Sequence, residues 1–312
     1  MEKYLNISLF FILVSSLIFH SGTSNAEITN GPVENDSDTL FINQIHLFYS
    51  ASFPVHGIAF DNHGLMYIGG HKNIYTISPD KVLKHFITLD DSTEKTMIWS
   101  LRFGPDQNLY IAAHDRIVKV TPEGEQTVVI QESFPGPCGV TDLRFDNQEN
   151  LVVAYSNIIA RYNSSREKEI IIDGSKYNPE MKWIVGLEFS ADFNILYIGD
   201  CTGKKSYILP YSSQGHQDKI RSFQTHWGQY FTQDNRGNIY LTSLGGNSEW
   251  PEFIKFTKHN ERIDICSLNR VQQTGKIHKK TLAWGKSGFN KKAIYCIIGN
   301  NIYEYDFSEI GK

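Results

Sequence analysis

Six segments of the chain share one pattern, in which an apolar strand anchored by an aromatic residue leads through a polar turn into a second apolar strand. The six segments begin at His56, Trp99, Thr141, Val185, Trp227 and Lys280. Their turns are rich in Asp, Asn and Gly, the residues that hairpin turns require. Apolar residues alternate or form short runs, and no amphipathic helical period persists. The pattern therefore predicts antiparallel strands along the whole chain.

The spacing of the segments predicts a repeat architecture. The corresponding second-strand positions are Tyr67, Tyr110, Val152, Tyr197, Tyr240 and Tyr295, at spacings of 43, 42, 45, 43 and 55 residues. A third and a fourth apolar strand follow, such as RIVKV from Arg116 and EQTVVIQ from Glu125. Four strands in about 43–45 residues, repeated six times, are typical of an all-β, six-bladed β-propeller. Because one blade cannot bury both faces of its sheet, neighbouring blades must stack and the ring must close.

The chain ends before its sixth repeat can form an outer strand. That repeat runs out at Phe307, whereas the apolar segment from Leu40 to Ser50 precedes the first complete blade. We therefore expect this N-terminal segment to close the ring as the missing strand. The predicted organisation is a single propeller domain over residues 40–312, preceded by a flexible polar lead-in over residues 27–39.

Residues 1–26 have the pattern of a signal peptide. Lys3 precedes an apolar stretch from Leu9 to Phe19, and Ser24 and Ala26 place small residues before a cleavage point at Glu27. An eleven-residue stretch covers only about half of a ~30 Å bilayer core. We expect a periplasmic or secreted protein with no membrane span after signal cleavage.

Composition narrows the classes of partner. The net charge is -4, from 30 basic and 34 acidic residues, and this balance argues against nucleic acid. Hydrophobic residues make up 40% of the chain, which excludes disorder, and four cysteines are too few for a disulfide-held miniprotein. The partner we expect is a small-molecule ligand or a protein, bound by a monomer.

Two segments carry a resemblance to a known group of proteins. VHGIAFDNHGLMYIGGHKNIYTI from Val55 and IVGLEFSADFNILYIGD from Ile184 resemble the gluconolactonase, senescence-marker-protein and strictosidine-synthase-like six-bladed propellers. The resemblance covers residues 41–308. It implies a divalent cation, usually calcium, at one mouth of the central channel, held by Glu, Asn and Asp at the starts of the inner strands.

The calcium ligands of that group are not matched here. The corresponding column consists of His56, Trp99, Thr141, Val185, Trp227 and Lys280. It holds no carboxylate and no side-chain amide, and a one-residue shift offers only Asp142, whereas calcium needs several oxygen ligands. We therefore assign no cofactor and treat the six positions as candidate ligand-binding residues.

Histidines near the same mouth suggest a second kind of chemistry. His71 and His114 occupy equivalent turns after the second strands of adjacent blades, and His56 starts the first blade. Imidazoles beside a carboxylate can bind a transition metal or act as a general base. His56, His71 and His114 are thus candidate metal ligands, although solvated turn residues would give the same pattern. The candidate catalytic residues are His71, His114, Asp142 and Glu188.

Three further features fall at this mouth. Trp99 and Trp227 suit a flat or apolar ligand, but bulky inner-strand residues also plug narrow channels. Cys138 and Cys201 lie in neighbouring blades and are candidates for a disulfide in an oxidising compartment. The insertion from Gly245 to Phe253 is a loop longer than its counterparts, as binding loops often are.

These observations favour an exported binding protein over an enzyme. The competing hypothesis is a lactone or ester hydrolase of the gluconolactonase type with a rearranged or metal-independent site. A third hypothesis, a carbon–nitrogen bond-forming enzyme of the strictosidine-synthase kind, needs a channel glutamate, for which Glu188 is the nearest candidate. The chain contains no HExxH, GxSxG, CxxC, phosphate-loop or GxGxxG motif.

Overall fold

The structure is a computed structural model. It describes residues 39–42, 44–90, 97–135, 138–177, 181–201, 205–211, 220–225, 230–242, 253–267 and 282–307. Six antiparallel sheets follow one another along the chain, and each inner strand contacts the inner strands of both neighbouring blades around a closed ring. The predicted six-bladed β-propeller with four-stranded blades is confirmed.

The blades are numbered here in chain order, and their strands are given from the channel outwards. Blade 1 consists of Gly57–Phe60, Met66–Gly70, Asn73–Ile77 and Leu83–Thr88. Blade 2 consists of Ile98–Phe103, Leu109–Ala113, Arg116–Val120 and Gln126–Gln131. Blade 3 consists of Val140–Phe145, Leu151–Tyr155, Ile158–Tyr162 and Lys168–Asp173. Blade 4 consists of Ile184–Phe189, Ile195–Asp200, Lys205–Pro210 and Arg221–Gln224. Blade 5 consists of Phe231–Gln233, Ile239–Thr242, Phe253–Phe256 and Arg262–Ser267. Blade 6 consists of Leu282–Trp284, Ala293–Ile298, Asn301–Asp306 and Gln44–Ser50. A single-turn helix, Gly174–Tyr177, follows blade 3.

The repeats agree in register, residue for residue. The predicted second-strand positions form the pairs Ala59–Tyr67, Arg102–Tyr110, Arg144–Val152, Glu188–Tyr197, Thr232–Tyr240 and Ala283–Tyr295. In each pair the inner-strand member immediately precedes the residue that anchors the hairpin, for example Phe60, Phe103 or Phe145. The inner hairpins are therefore equivalent in all six blades.

The N-terminal segment enters two blades rather than one. Thr39–Ile42 (β1) pairs in parallel with Arg262–Ser267 as a fifth strand of blade 5, and Gln44–Ser50 (β2) pairs antiparallel with Asn301–Asp306 in blade 6. The expectation of one strand from Leu40 to Ser50, and of a lead-in extending through residue 39, was wrong in these details. β2 occupies the outer position of blade 6.

Apolar contacts between blades hold the ring together. Phe48 of β2 is buried against Phe289 and Tyr295, with ring centroids 5.7 and 5.2 Å away. Phe60 of blade 1 packs on the same two rings at 4.9 and 5.4 Å. The seam between the first and last blades is thus an aromatic core. Among the described residues, no helix has the length and apolar character needed to cross a membrane.

Candidate functional site at the central channel

The channel has two mouths. The first mouth is formed by the starts of the inner strands and by the turns between second and third strands, including His56, His71 and His114. The second mouth is formed by the ends of the inner strands and by the hairpin turns that follow them, including Gly104 and Ser190. Of the candidate site residues that the structure describes, all except Asp142 and Glu188 belong to the first mouth.

Two of the predicted histidines meet at the first mouth. The rings of His56 and His71 lie 5.9 Å apart, edge to face at 85°, and His71 is exposed. His71 and His114 adopt left-handed backbone conformations, with φ of 48° and 36°. Their carbonyls accept hydrogen bonds from Ile98 and Val140, which begin the next inner strands.

The turn position does not require an imidazole. Ser156 occupies the equivalent turn of blade 3 with φ of 50°, and its carbonyl accepts the Ile184 N–H at 2.7 Å. The backbone role is therefore common to three blades, and the imidazoles of His71 and His114 are additional to it. Among the described residues, no group of three or more His, Cys, Asp or Glu side chains is arranged to hold a metal ion.

The other predicted ligand-binding residues that the structure describes differ in burial. Thr141 is buried, and its hydroxyl lies 2.7 Å from the Ile184 carbonyl and 3.0 Å from the Ala154 carbonyl. A hydrogen bond donated to Ile184 links blades 3 and 4. Val185 is also buried, whereas Trp99 is half-buried and packs on the core between blades 2 and 3. Trp227, Lys280 and residues 245–252 of the long insertion lie outside the described residues.

The two cysteines of the first mouth are close in space. Cys138 and Cys201 both carry thiols in the structure and are half-buried. Burial, the carboxylate of Asp200 and the neighbouring Cys138 raise the pKa of Cys201 to about 12. The disulfide between these cysteines stays a prediction.

Sequence reasoning missed a charged cluster inside the channel. Arg102, Arg144 and Glu188 occupy the same register position in the inner strands of blades 2, 3 and 4, and Asp142 lies between them and the first mouth. We call these four residues the channel cluster. Its signal was present in the sequence, because a charged residue stands between Leu and Phe in three successive repeats, LRF, LRF and LEF.

Asp142 is the centre of the channel cluster. Its side chain is fully buried, and Oδ1 accepts hydrogen bonds from the Ser100 hydroxyl at 2.6 Å and from Arg144 Nη1 at 2.8 Å. Oδ2 accepts the Leu187 N–H at 3.0 Å, so that one carboxylate joins blades 2, 3 and 4. Burial alone would raise the pKa of Asp142, but Arg144, Arg102 and these hydrogen bonds together lower it.

Glu188 is held by the arginine of the preceding blade. Arg144 donates from Nε and Nη2 to the two carboxylate oxygens of Glu188, both at 3.1 Å, in a bidentate pair. Burial would lower the pKa of the Arg144 guanidinium, but Asp142 and Glu188 raise it. Arg144 is therefore neutralised on two sides.

Arg102 is only partly neutralised. Its Nη2 lies 3.5 Å from Asp142 Oδ1, beyond good hydrogen-bond geometry, and this buried atom makes no hydrogen bond among the described residues. Nη1 donates to the Leu101 carbonyl at 2.8 Å. Burial and the repulsion of Arg144 lower the pKa of Arg102 to about 10. An additional anion would stabilise this guanidinium.

A cavity of about 350 Å³ opens at the second mouth above the channel cluster. Its polar lining includes Arg102, Arg144, Glu188 and Gln233, and its aromatic lining consists of Phe103, Phe145, Phe189 and Phe193. Ser100 and Asp142 of the inner strands, and Tyr230 just before the inner strand of blade 5, are buried nearer the first mouth than this cavity. The cavity and the first mouth are therefore lined by different residues.

The fold and the channel define a six-bladed β-propeller, and comparison with known structures places it among such proteins. The chain is similar to a gluconolactonase from Xanthomonas campestris, with a TM-score of 0.63 and 12% identity, over 88% of this chain and 97% of that one. It is also similar to a catalytically inactive virginiamycin B lyase from Staphylococcus aureus with quinupristin, with a TM-score of 0.57 and 14% identity, over 80% and 79% of the two chains.

A third similar structure is a chain of a nidogen/laminin complex, with a TM-score of 0.52 and 16% identity, over 67% of this chain and 78% of that one. No protein-family model matches the sequence, and no curated protein matches it significantly. At these identities the likeness establishes the fold, and the resemblance to gluconolactonase-like propellers is confirmed at that level.

Proposed function

We propose that this protein is an exported, gluconolactonase-like propeller that binds a small molecule or a protein at its first mouth. The proposal rests mainly on the hydrogen bonds that already engage the two channel carboxylates. Asp142 and Glu188 accept hydrogen bonds from arginine and other donors at both oxygens. A carboxylate with its lone pairs engaged in this way is a poor general base and a poor metal ligand.

The first mouth offers a binding surface instead. His71 is exposed, His56 and Trp99 are half-buried, and all three residues belong to the first mouth in blades 1 and 2. Aromatic and imidazole faces of this kind suit a ligand with a flat or apolar part and a few polar groups. The predicted ligand residues Trp227 and Lys280 would extend that surface across blades 5 and 6.

The test is the double variant Trp99→Ala/Trp227→Ala. If the tryptophans form a ligand surface, the variant keeps a near-native melting temperature and loses the thermal shift that ligands of the wild type produce. If they are core residues, each change costs about 3–5 kcal/mol of stability. Trp284→Ala serves as a control for the loss of a packed indole, because Trp284 of blade 6 stacks on Tyr240 of blade 5 at 5.1 Å, and it should lower the melting temperature. A fall in melting temperature of the double variant as large as that of Trp284→Ala would overturn the proposal.

The second candidate is a lactone or ester hydrolase, and the edge-to-face pair of His56 and His71 favours it. Two adjacent imidazoles can share a metal ion or a proton. Metal analysis of purified protein and assays with gluconolactone and aryl esters distinguish the candidates. A stoichiometric metal with EDTA-sensitive turnover that is lost in His71→Ala would establish the hydrolase. A carbon–nitrogen bond-forming reaction has less support, since Glu188 is paired with Arg144.

A further inference from the structure

We propose that the second mouth is a separate site for a small organic carboxylate with a flat apolar body. The cavity there holds about 350 Å³, within the range of pockets that bind small molecules. Its lining does not include His56, His71 or Trp99 of the first mouth, so the two sites use different residues.

The walls of the cavity suit an aromatic ring. Phe103, Phe145 and Phe193 are half-buried and line the opening. Phe103 is held edge-on by Tyr67 at 5.1 Å, and Phe145 by Tyr110 at 4.8 Å, so these rings are fixed by neighbours outside the cavity. Rigid aromatic walls bind flat apolar groups with little loss of conformational freedom.

The floor of the cavity carries a guanidinium whose hydrogen bonding is incomplete. Arg144 is neutralised by Asp142 and Glu188, whereas Arg102 has one long ion pair and an Nη2 with no hydrogen bond among the described residues. Asp146, the other acidic residue of the lining, accepts hydrogen bonds from Gln148, Asn150 and Tyr211. A carboxylate would supply the acceptor that Arg102 lacks, in a charge-assisted hydrogen bond.

Phe193 gives independent support for a ligand. The six inner hairpins all place one residue in the left-handed region, and these residues are Gly64, Gln107, Glu149, Phe193, Gly237 and Gly288. A bulky aromatic residue is rarely found there, because its side chain crowds the backbone. Phe193 has φ of 58°, and its ring lies 5.6 Å from Phe189 at the cavity edge. The strained position keeps an aromatic wall where three other blades use glycine.

Calorimetric titration of the full mature chain with phenylacetate tests the site, and its neutral analogue phenylacetamide is the matched control. We expect phenylacetate to bind at least tenfold more tightly, because its carboxylate forms a charge-assisted hydrogen bond with Arg102, whereas the amide oxygen of phenylacetamide is a neutral acceptor. Equal affinity for the two compounds, or no binding of either at millimolar concentration, would overturn the proposal.

Variants of the channel cluster and of the aromatic wall test the site further, because some should weaken phenylacetate binding and one should tighten it. Arg102→Gln should weaken phenylacetate binding at least tenfold, and Arg102→Lys should restore part of it. Glu188→Gln should tighten binding, because it leaves Arg144 available to the anion. Phe193→Gly should weaken binding of both compounds while relieving the strained backbone. If Arg102→Gln fails to fold, tighter binding by Glu188→Gln remains the required result, and unchanged binding there contradicts the site.

His71→Asn separates this inference from the proposed function. His71 is exposed at the first mouth, and Asn tolerates its left-handed backbone, so the variant should fold and should bind phenylacetate as the wild type does. Loss of phenylacetate binding in His71→Asn would assign the carboxylate to the first mouth and overturn the second site.

Discussion

At the scale of single residues, the channel depends on one carboxylate shared by two arginines. Asp142 lies 2.8 Å from Arg144 Nη1 and 3.5 Å from Arg102 Nη2, with its side chain fully buried. A buried charge network is stabilising only while every member has a partner. The removal of the central anion should therefore have a larger effect than the loss of any neutral contact in the channel.

Asp142→Asn tests this dependence. The amide leaves two buried guanidinium groups without their common counterion, and we expect a loss of about 3–5 kcal/mol in the free energy of unfolding. Urea denaturation of both proteins measures the difference. Ser100→Ala, which removes a single hydroxyl donor to the same carboxylate, is the matched control and should cost only about 1–3 kcal/mol. An Asp142→Asn protein as stable as the control would contradict the network.

The lowered pKa of Asp142 also predicts a pH dependence. A carboxyl group whose folded pKa lies below its unfolded value of about 3.9 stabilises the protein above that value and loses this contribution as the pH falls through the folded pKa. The free energy of unfolding should therefore decrease below about pH 4, and Asp142→Asn should lack this component. Urea denaturation at a series of acidic pH values measures both slopes. Equal slopes in the two proteins would show that other carboxyl groups cause the acid sensitivity.

The sequence predicts the positions of these residues but not their contacts. Repeat alignment places Arg102, Arg144 and Glu188 in equivalent inner-strand positions, and the register of the three hairpins confirms that equivalence. Which arginine takes which carboxylate depends on distances between blades, and a pattern within each repeat contains no such information. The same limit applies to Asp142, which has the position of a metal ligand and the contacts of a structural anion.

At the scale of elements, the N-terminal strands hold the last two blades. β2 pairs with Asn301–Asp306 over its whole length and buries Phe48, while β1 extends blade 5 by a parallel strand. The repeat pattern predicts that the segment from Leu40 to Ser50 pairs as a strand of the propeller, because it is apolar and precedes the first complete blade. It cannot predict β1, because a parallel fifth strand has no counterpart in the other repeats.

Deletion of residues 27–52 should prevent stable folding. Without β2, blade 6 exposes the edge of its third strand, and the aromatic seam around Phe289 and Tyr295 loses Phe48. Thermal melting followed by circular dichroism measures the effect. Deletion of residues 27–38 alone keeps both strands and should leave the melting temperature unchanged. A protein without residues 27–52 that retains the native melting temperature would exclude β2 as a stabilising strand.

At the scale of the whole molecule, the ring fixes where sites occur but not what they do. The similar structures include a gluconolactonase, a virginiamycin B lyase and a chain of a nidogen/laminin complex, so this fold accompanies quite different chemistry. What distinguishes the present chain is the composition of its channel. A charged cluster lies in the middle of the channel, His56 and His71 lie at one end, and a cavity with an aromatic lining lies at the other.

The compartment in which the protein folds should decide whether Cys138 and Cys201 are thiols or a disulfide. Cleavage before Glu27 would deliver the chain to an oxidising environment, where Cys138 and Cys201 of the first mouth should form a disulfide between blades 3 and 4. The Cys201 thiol is half-buried beside Asp200, and its pKa is raised to about 12, so a disulfide would remove a thiol that is slow to ionise. A bond closing a loop of this length typically contributes about 4 kcal/mol, so the exported protein should melt at a higher temperature than protein made in a reducing cytoplasm. Non-reducing peptide mapping of exported protein measures the linkage, and Cys201→Ser is the control that should melt alike from both sources. Exported protein in which Cys138 and Cys201 remain thiols would contradict the pairing.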